Sequence, residues 1–380
     1  MTIVYGVLAV LSVVLWTCIA LPLTFQLRKI SYLRDISYPL PVQSGVALPK
    51  LRVIIAARNE QKAIERCVDS LMAQTYSHLE VTVVNDRSTD ETLPLLEQMQ
   101  QKYPRLHVIS IQELPEGWLG KNHALYVGSM QTDGDWILFS DADSLYHPQA
   151  LEQAIRYGEH HQLDHLAAIP EFGGTHLWSK VYGAYVMMVG GSFGQIWKVR
   201  ERGSKQHIGI GAFNMIKRSA YEDIGTHEAI ALCTLDDVML GKVVKEKGFM
   251  SDVVFGRDRV VVWNWYETLG QLIRSVEKTA FTWGRTISTS LFSLLMIYPF
   301  IGIGFGTSVT RAMCGVAAVS IMLMYANNSR FLKSGFWFGL LHPLLHVFLI
   351  FGSLRGIYNT TKNGGMTWRG TVYKEKNLKV

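Results

Sequence analysis

The stretch GDWILFSDADSLYHP, residues 134–148, sets an apolar run against two negative charges. Trp136 to Phe139 read as a buried strand, a short apolar run bounded by Gly134 and Pro148. The run ends in Asp141 and Asp143, one residue apart. Side chains alternate along an extended segment, so both carboxylates face one side. Hard divalent cations such as Mg²⁺ or Mn²⁺ accept oxygen ligands of this kind and leave positions open for phosphates. The strand end therefore reads as a place where charges wait for a cation. Turns also use Asp freely, so the pair must be weighed with its surroundings.

Working outward, LRVIIAA (51–57) reads as another buried strand and residues 60–73 as an amphipathic helix. LEVTVVND (79–86) is a second strand. STDE follows, with Ser88 three residues before Glu91, a capping-box pattern that predicts a helix over about 89–102. HVISI (107–111) is a third strand, and residues 121–131 suit a helix before DWILFSD. Strands and helices alternating in this order predict an α/β domain, a mostly parallel sheet with helices on both faces. In such sheets ligands gather at the carboxyl ends of the strands. Arg58, Asn59 and Glu60 follow the first strand. Asn85, Asp86, Arg87 and Ser88 close the second, and Asp141 and Asp143 close the fourth.

Composition bounds the rest. The chain has 380 residues, 48% apolar and only 18% charged. The apolar excess is concentrated in residues 3–27 and 286–354. VYGVLAVLSVVLWTCIALPLTFQL is uncharged and long enough to cross a hydrocarbon core of ~30 Å. No basic region precedes it and no cleavage pattern follows it, so it reads as a retained anchor rather than a signal peptide. Arg28, Lys29 and Arg34 put its far end in the cytoplasm. Three more apolar segments fall at about 287–306, 312–326 and 334–354. If all three span, the basic tail (Arg355, Lys362, Arg369, Lys374, Lys376, Lys379) lands outside, against the positive-inside rule. One segment is therefore expected not to span, and the one holding His342, Pro343 and His346 is the candidate. The resulting division is an anchor at 1–27, a linker at 28–50, a cytosolic domain at 51–285, transmembrane or re-entrant helices at 286–354 and a basic tail at 355–380.

A formal charge of +6, gathered beside the apolar segments, suits a bilayer surface and not nucleic acid, for which no basic recognition stripe is present. The four cysteines are scattered, with no CxxC or Cys/His cluster, so neither a zinc site nor a disulfide framework is expected. Gly120 and Lys121 in WLGKNHAL (118–125) precede a helix, a position that favours phosphate oxygens. Asp236 and Asp237 open another amphipathic helix in TLDDVMLGKVVKEKGF (234–249), where acids are also ordinary N-terminal stabilisers. IGIGAF (208–213) is not GxGxxG, so dinucleotide binding is not expected. His160, His161 and His165 read as a solvated helix end. The apolar, aromatic stretch 177–197 reads either as a core helix or as an interfacial one.

ARNE (57–60), VVNDRSTDET (83–92), GKNHAL (120–125), FSDAD (139–143), IGAFNMIKRSAYEDIGTHE (210–228) and LDDVMLG (235–241) together resemble the family 2 glycosyltransferases, in the family's order and over roughly residues 50–255. That resemblance implies a GT-A fold, a Rossmann-like nucleotide-diphospho-sugar transferase domain. It further implies that Asp86 reads the base, that Arg58 and Glu60 line the same pocket, and that Lys121 approaches the diphosphate. Asp141 and Asp143 would serve the ribose and the metal, with Asp143 the direct ligand, and Asp237 would be the catalytic base.

More narrowly, the chain resembles the membrane-anchored branch acting on isoprenoid lipids, of the diaponeurosporenoate, chlorobactene and hopanoid types. The His-Pro in the last apolar segment and WRGTVY (368–373) extend that likeness. Arg369 and Thr371 stand where that branch tends to have lysine and arginine. The expected activity is inverting transfer of a hexose, glucose from a UDP-sugar, to a lipid such as a carotenoid. A polyisoprenyl-phosphate or cell-wall glycolipid transferase is the alternative, and a silent nucleotide-sugar-binding membrane subunit is the alternative of another class. Gln271 and Arg274 are followed by Ser275 and not by the Trp of the processive members, which argues against polymer synthesis.

Overall fold

The runs read as strands form one half of an eight-stranded sheet in the computed structural model, which describes residues 2–39, 48–277, 282–368 and 371–374. β1 (Leu51–Ala57), β2 (Leu79–Asp86), β3 (Leu106–Ile111) and β4 (Trp136–Asp141) are mutually parallel, in the order β3-β2-β1-β4. β1, β2 and β4 are buried along nearly their whole length, which is why apolar residues dominate their sequences, interrupted by Arg52 in β1 and by Glu80 and Thr82 in β2.

β5 (Ser144–Tyr146), β6 (His165–Gly173), β7 (Asn214–Lys217) and β8 (Ser251–Trp263) complete the order β3-β2-β1-β4-β7-β6-β8-β5. The sheet is mixed, with four parallel and three antiparallel neighbouring pairs. β7 runs antiparallel to both β4 and β6, and β5 antiparallel to β8. This reversal matters for the site. It places Asn214, the first residue of β7, opposite Phe139 near the carboxyl end of β4.

The helix Ile64–Met72 buries Ile64, Cys67, Val68 and Leu71, the i, i+3, i+4, i+7 stripe expected of a helix lying on a sheet. The helix after β2 starts at Thr92, later than the capping-box pattern predicts. Ser88 does not cap it. Its hydroxyl instead accepts a hydrogen bond from the Asn59 N–H at 3.0 Å, while Asp90 accepts from the Thr92 N–H at 3.0 Å. The cap-forming side chain is thus spent on joining the loops after β1 and β2.

His165 is a second correction. It is fully buried on β6, not solvated. Its Nδ1 lies 2.7 Å from Ser251 Oγ and its Nε2 2.6 Å from Asn214 Oδ1. Burial lowers its pKa to about 4, below the ordinary histidine value. The stability this group carries is therefore complete above about pH 6.5 and is lost as pH falls toward 4, a total of about 3 kcal/mol. The expected result is a fall in the urea midpoint between pH 7 and pH 5 that is visibly smaller in His165→Gln. An equal fall in both proteins would remove His165 from the account.

The chain divides into two compact units: residues 30–173 with 196–265, which hold the sheet, and residues 1–29, 174–195 and 266–378. The boundary falls at Trp265, earlier than residue 285, and the stretch 174–195 belongs with the apolar helices.

In the helical unit, polar contacts fix the direction of each helix. Thr17 pairs with Ser320 at 2.8 Å and Asn327 donates to the Thr24 carbonyl at 3.0 Å, so the first helix and Ser308–Leu332 run parallel. Tyr298 donates to the Tyr5 carbonyl at 2.9 Å, so Trp283–Gly302 runs opposite to both. His346 Nδ1 meets Ser293 Oγ at 3.1 Å, and Thr286 donates to the Ser353 carbonyl at 3.5 Å. His342–Asn363 is therefore antiparallel to Trp283–Gly302 and parallel to its predecessor Ser308–Leu332.

Two consecutive helices can run parallel only if the connection turns back. The 3-10 turn Phe336–Leu341 makes that return, with Gly339 lying against Met322 and Tyr325. His342 begins its helix level with Trp16 and Tyr325, roughly 10–20 Å inside the bundle as counted along the neighbouring helices.

By length and composition three segments could cross a membrane: Thr2–Lys29, Ser308–Leu332 and Phe336–Asn363. Within the bundle the helical part of the last of these starts beside Tyr325 and runs parallel to Ser308–Leu332. Helix 177–186 lies in this unit, with Asn328 donating to the Ala184 carbonyl at 3.3 Å and Tyr185 edge-on to His346. Of the basic tail, Arg369, Lys376 and Lys379 fall outside the described residues.

Candidate active site

Four loops meet at the carboxyl edge of the sheet. Asp86 closes β2 and is almost fully buried. Arg87, at a left-handed φ of 54°, folds back so that its guanidinium donates to Asp86 Oδ1 at 2.7 Å and Oδ2 at 3.0 Å. Arg58, after β1, lies 3.9 Å from the same carboxylate. The start of the helix Gly120–Met130 presses on this group from the other side, where a Cβ at Gly120 would stand 2.5 Å from Asp86 Oδ2. Asp86 is thus a buried acceptor held by two arginines, able to read a donor group once one of them yields.

Lys121, the next residue, reaches Asp141 Oδ1 at 2.9 Å and Asp236 Oδ2 at 3.1 Å. Burial alone would depress its ammonium, but the charges of Asp141, Asp236 and Asp237 outweigh it and hold the pKa well above the ordinary value. Asp237 opens the helix Asp236–Glu246, and its Oδ2 accepts from the Gly211 N–H at 2.7 Å. Burial, then the Asp236 carboxylate, raises the Asp237 pKa to about 6, with Lys121 opposing. A carboxylate with a pKa raised in this way is a stronger base than an exposed one would be.

Asp143 follows Asp141 and is tied by its main chain to β8, whose Trp263 N–H donates to the Asp143 carbonyl at 3.2 Å. Its pKa is pushed up to about 7, first by burial and then by the Asp141 and Glu60 carboxylates. Part of its surface stays accessible, so an ion can still reach it.

The fit to a divalent cation is of one kind only. Among the described residues no group of three His, Cys, Asp or Glu side chains gathers to enclose an ion. Asp141 is already engaged by Lys121, and Asp143 is the other carboxylate of the pair that a cation could reach. Mg²⁺ or Mn²⁺ held by one carboxylate, with water and substrate phosphates in its other positions, matches this donor set.

All seven residues expected from the sequence therefore lie along one edge, joined through Gly120, Lys121, Asp141 and Gly211. Others were not foreseen. Asp236 was read only as a helix starter, yet it takes half of Lys121. The glycines of IGIGAF have a packing role. They let main chain pass where side chains could not, since a Cβ at Gly209 would stand 1.6 Å from the Asp237 carbonyl, and one at Gly211 2.4 Å from Asp141 Oδ2. Paired glycines two apart were the available signal. Asn214 lines the recess beside Lys121, Asp236 and Asp237; it lies in the motif 210–228 but no role for it was expected from the sequence.

Comparison with known proteins agrees with this geometry. Residues 52–225 match the family described as Glycosyl transferase family 2. The chain is 24% identical over 339 residues to the 4,4'-diaponeurosporenoate glycosyltransferase of Staphylococcus aureus, covering 85% of this chain and 88% of that protein. It is 34% identical over 116 residues to the beta-monoglucosyldiacylglycerol synthase of Synechocystis, a match that spans 30% of this chain and 24% of that protein. An uncharacterized glycosyltransferase of Haemophilus influenzae is 32% identical over 124 residues, 36% of its length. Among solved structures, a mannosyltransferase from Pyrobaculum calidifontis, in complex with GDP-mannose and Mn²⁺, superposes with a TM-score of 0.55 at 16% identity, covering 93% of this chain and 99% of that one. At that identity the likeness speaks to the fold.

Proposed function

The chain belongs to the family 2 glycosyltransferases through residues 52–225, and from that premise we propose that it transfers glucose from UDP-glucose to a membrane isoprenoid lipid such as a carotenoid. The observation that supports transfer most directly is the meeting of Lys121, Asp141 and Asp237 at one rim. The acceptor class rests on the alignment over 85% of the chain, which reaches beyond the sheet unit to the apolar helices.

In this reading Asp86, with Arg58 and Glu60, receives the base, Asp141 the ribose, and Lys121 the diphosphate oxygens. Asp143 holds Mg²⁺ or Mn²⁺, which when bound supplies positive charge to the leaving diphosphate. The acceptor oxygen attacks the anomeric carbon, forming one C–O bond as the bond to the diphosphate breaks. Asp237 takes the acceptor proton when the acceptor is a hydroxyl. A single displacement inverts the anomeric configuration.

The test is transfer of labelled glucose from UDP-glucose in membranes bearing the chain, followed by mass spectrometry of the lipids. A hexosylated carotenoid or hopanoid is expected. Label appearing only on a polyisoprenyl phosphate, or only on diacylglycerol, would replace the acceptor assignment.

The helical unit bears on orientation. Thr2–Lys29 and Ser308–Leu332 run parallel, Trp283–Gly302 runs opposite, and the segment after Leu332 returns to the end it left. This arrangement puts the Lys29 end, the Trp283 end and Lys362 on one face. That face is cytosolic by the charge rule, which removes the conflict over the basic tail. A reporter fused after residue 380 and cysteines placed in the sheet unit are expected to report the same side of the inner membrane. Opposite sides would mean that 334–363 crosses.

A further inference from the structure

Within the sheet unit a line of buried polar side chains leads away from Asp237 and ends where no substrate could be. Asn214 Nδ2 lies 3.3 Å from the Asp237 carbonyl oxygen, Asn214 Oδ1 lies 2.6 Å from His165 Nε2, and His165 Nδ1 lies 2.7 Å from Ser251 Oγ. All three side chains are buried, Asn214 at 2% exposure and His165 and Ser251 at 0%. They sit on β7, β6 and β8. Ser251 is directly opposite His165, and Asn214 is its diagonal neighbour across the β6–β7 pair.

The chemistry allows one direction. The Asp237 carbonyl only accepts, so the Asn214 amide must turn its NH₂ toward it and its oxygen toward His165. That oxygen needs a donor, so the His165 proton is on Nε2. His165 Nδ1 is then an acceptor, and the Ser251 hydroxyl donates to it. With any other tautomer or amide orientation two acceptors would face each other in the interior, which costs about 1–3 kcal/mol per unsatisfied group.

We propose that Ser251, His165 and Asn214 form a positioning relay that holds the main chain of Asp237 in register with Lys121 and Asp141. The proposal rests on the reading of Asp237 as the base. Gly211 holds the carboxylate of Asp237, and Asn214 holds its carbonyl. Asp237 is thereby pinned at both ends of the residue, to β7 through Asn214 and to the turn leading into it through Gly211. Without Asn214 the main chain of Asp237 loses this side-chain donor, and the carboxylate can drift from the acceptor proton.

The test uses the full chain in membranes or detergent, with UDP-glucose as donor and the carotenoid or hopanoid found to accept label. Asn214→Asp keeps the shape but puts an acceptor where the donor stood. Its kcat is expected to fall about tenfold or more, with the KM for UDP-glucose unchanged within twofold. His165→Leu is expected to do the same. His165→Gln, whose amide can donate in the place of Nε2, is expected to recover most of the loss. Equal kcat in all three variants, or losses that simply follow their melting temperatures with no rescue by Gln, would overturn the relay. Asp237→Asn is run beside them. If it stays active, the base assignment fails; if it is inactive while Asn214→Asp is fully active, the relay alone fails.

Discussion

Asp237→Asn leaves a folded, donor-binding protein whose transfer rate to a hydroxyl acceptor is lower by about 10²–10⁴. Asn keeps the shape and still accepts the Gly211 N–H through its oxygen, so the loop is not dislodged. What disappears is the capacity to take a proton. Lys121 loses one of three negative neighbours but keeps Asp141 and Asp236 in direct contact, so the phosphate-facing charge stays in place. UDP binding by calorimetry is therefore expected to match the parent while kcat collapses. If the natural acceptor is a carboxylate, it arrives without its proton, and the loss is expected to be far smaller. The size of the effect thus reports the acceptor's chemistry. Full activity toward a hydroxyl acceptor would remove Asp237 from the mechanism.

Asp143→Asn is expected to abolish metal-dependent transfer and, in the absence of metal, to raise the melting temperature by a few degrees. Asp143 is crowded by burial and by the Asp141 and Glu60 carboxylates, which push its pKa above the ordinary carboxylate value. A folded-state pKa raised in this way means that the ionised group opposes folding, increasingly as pH rises through the interval between the two values. Asn removes the charge and with it the penalty. Excess Mn²⁺ is expected to stabilise the parent and not the variant, since only the parent offers the ligand. A variant that keeps metal-dependent transfer would show that the cation is held elsewhere.

The strands from 51 to 141 were legible because a strand buried on both faces is dominated by apolar residues, and β1, β2 and β4 are such strands despite Arg52, Glu80 and Thr82. β7 was not legible. Four residues long, it has no periodicity to detect, and its direction is set by neighbours far away in sequence. The candidate residues at strand ends could be read because chain direction alone carries them to one edge. Asn214 and His165 could not. Each is an ordinary polar residue until the β6–β7 and β6–β8 pairings bring Ser251, His165 and Asn214 onto one face. Ser88 shows the opposite error: a local capping pattern was overridden when a second loop offered its hydroxyl a partner.

The helical unit is assembled from stretches at opposite ends of the polypeptide, with 174–195 supplied from the middle. A ribosome delivers the first helix long before Ser308–Leu332, whose Ser320 and Asn327 satisfy its Thr17 side chain and Thr24 carbonyl. Until then that helix lacks its lasting neighbours, and the segment carrying Tyr185 must also wait for its partner at His346. Clipping off the termini to obtain a water-soluble enzyme would consequently strip the apolar stretch 177–191 of its cover, and such trimmed chains should precipitate.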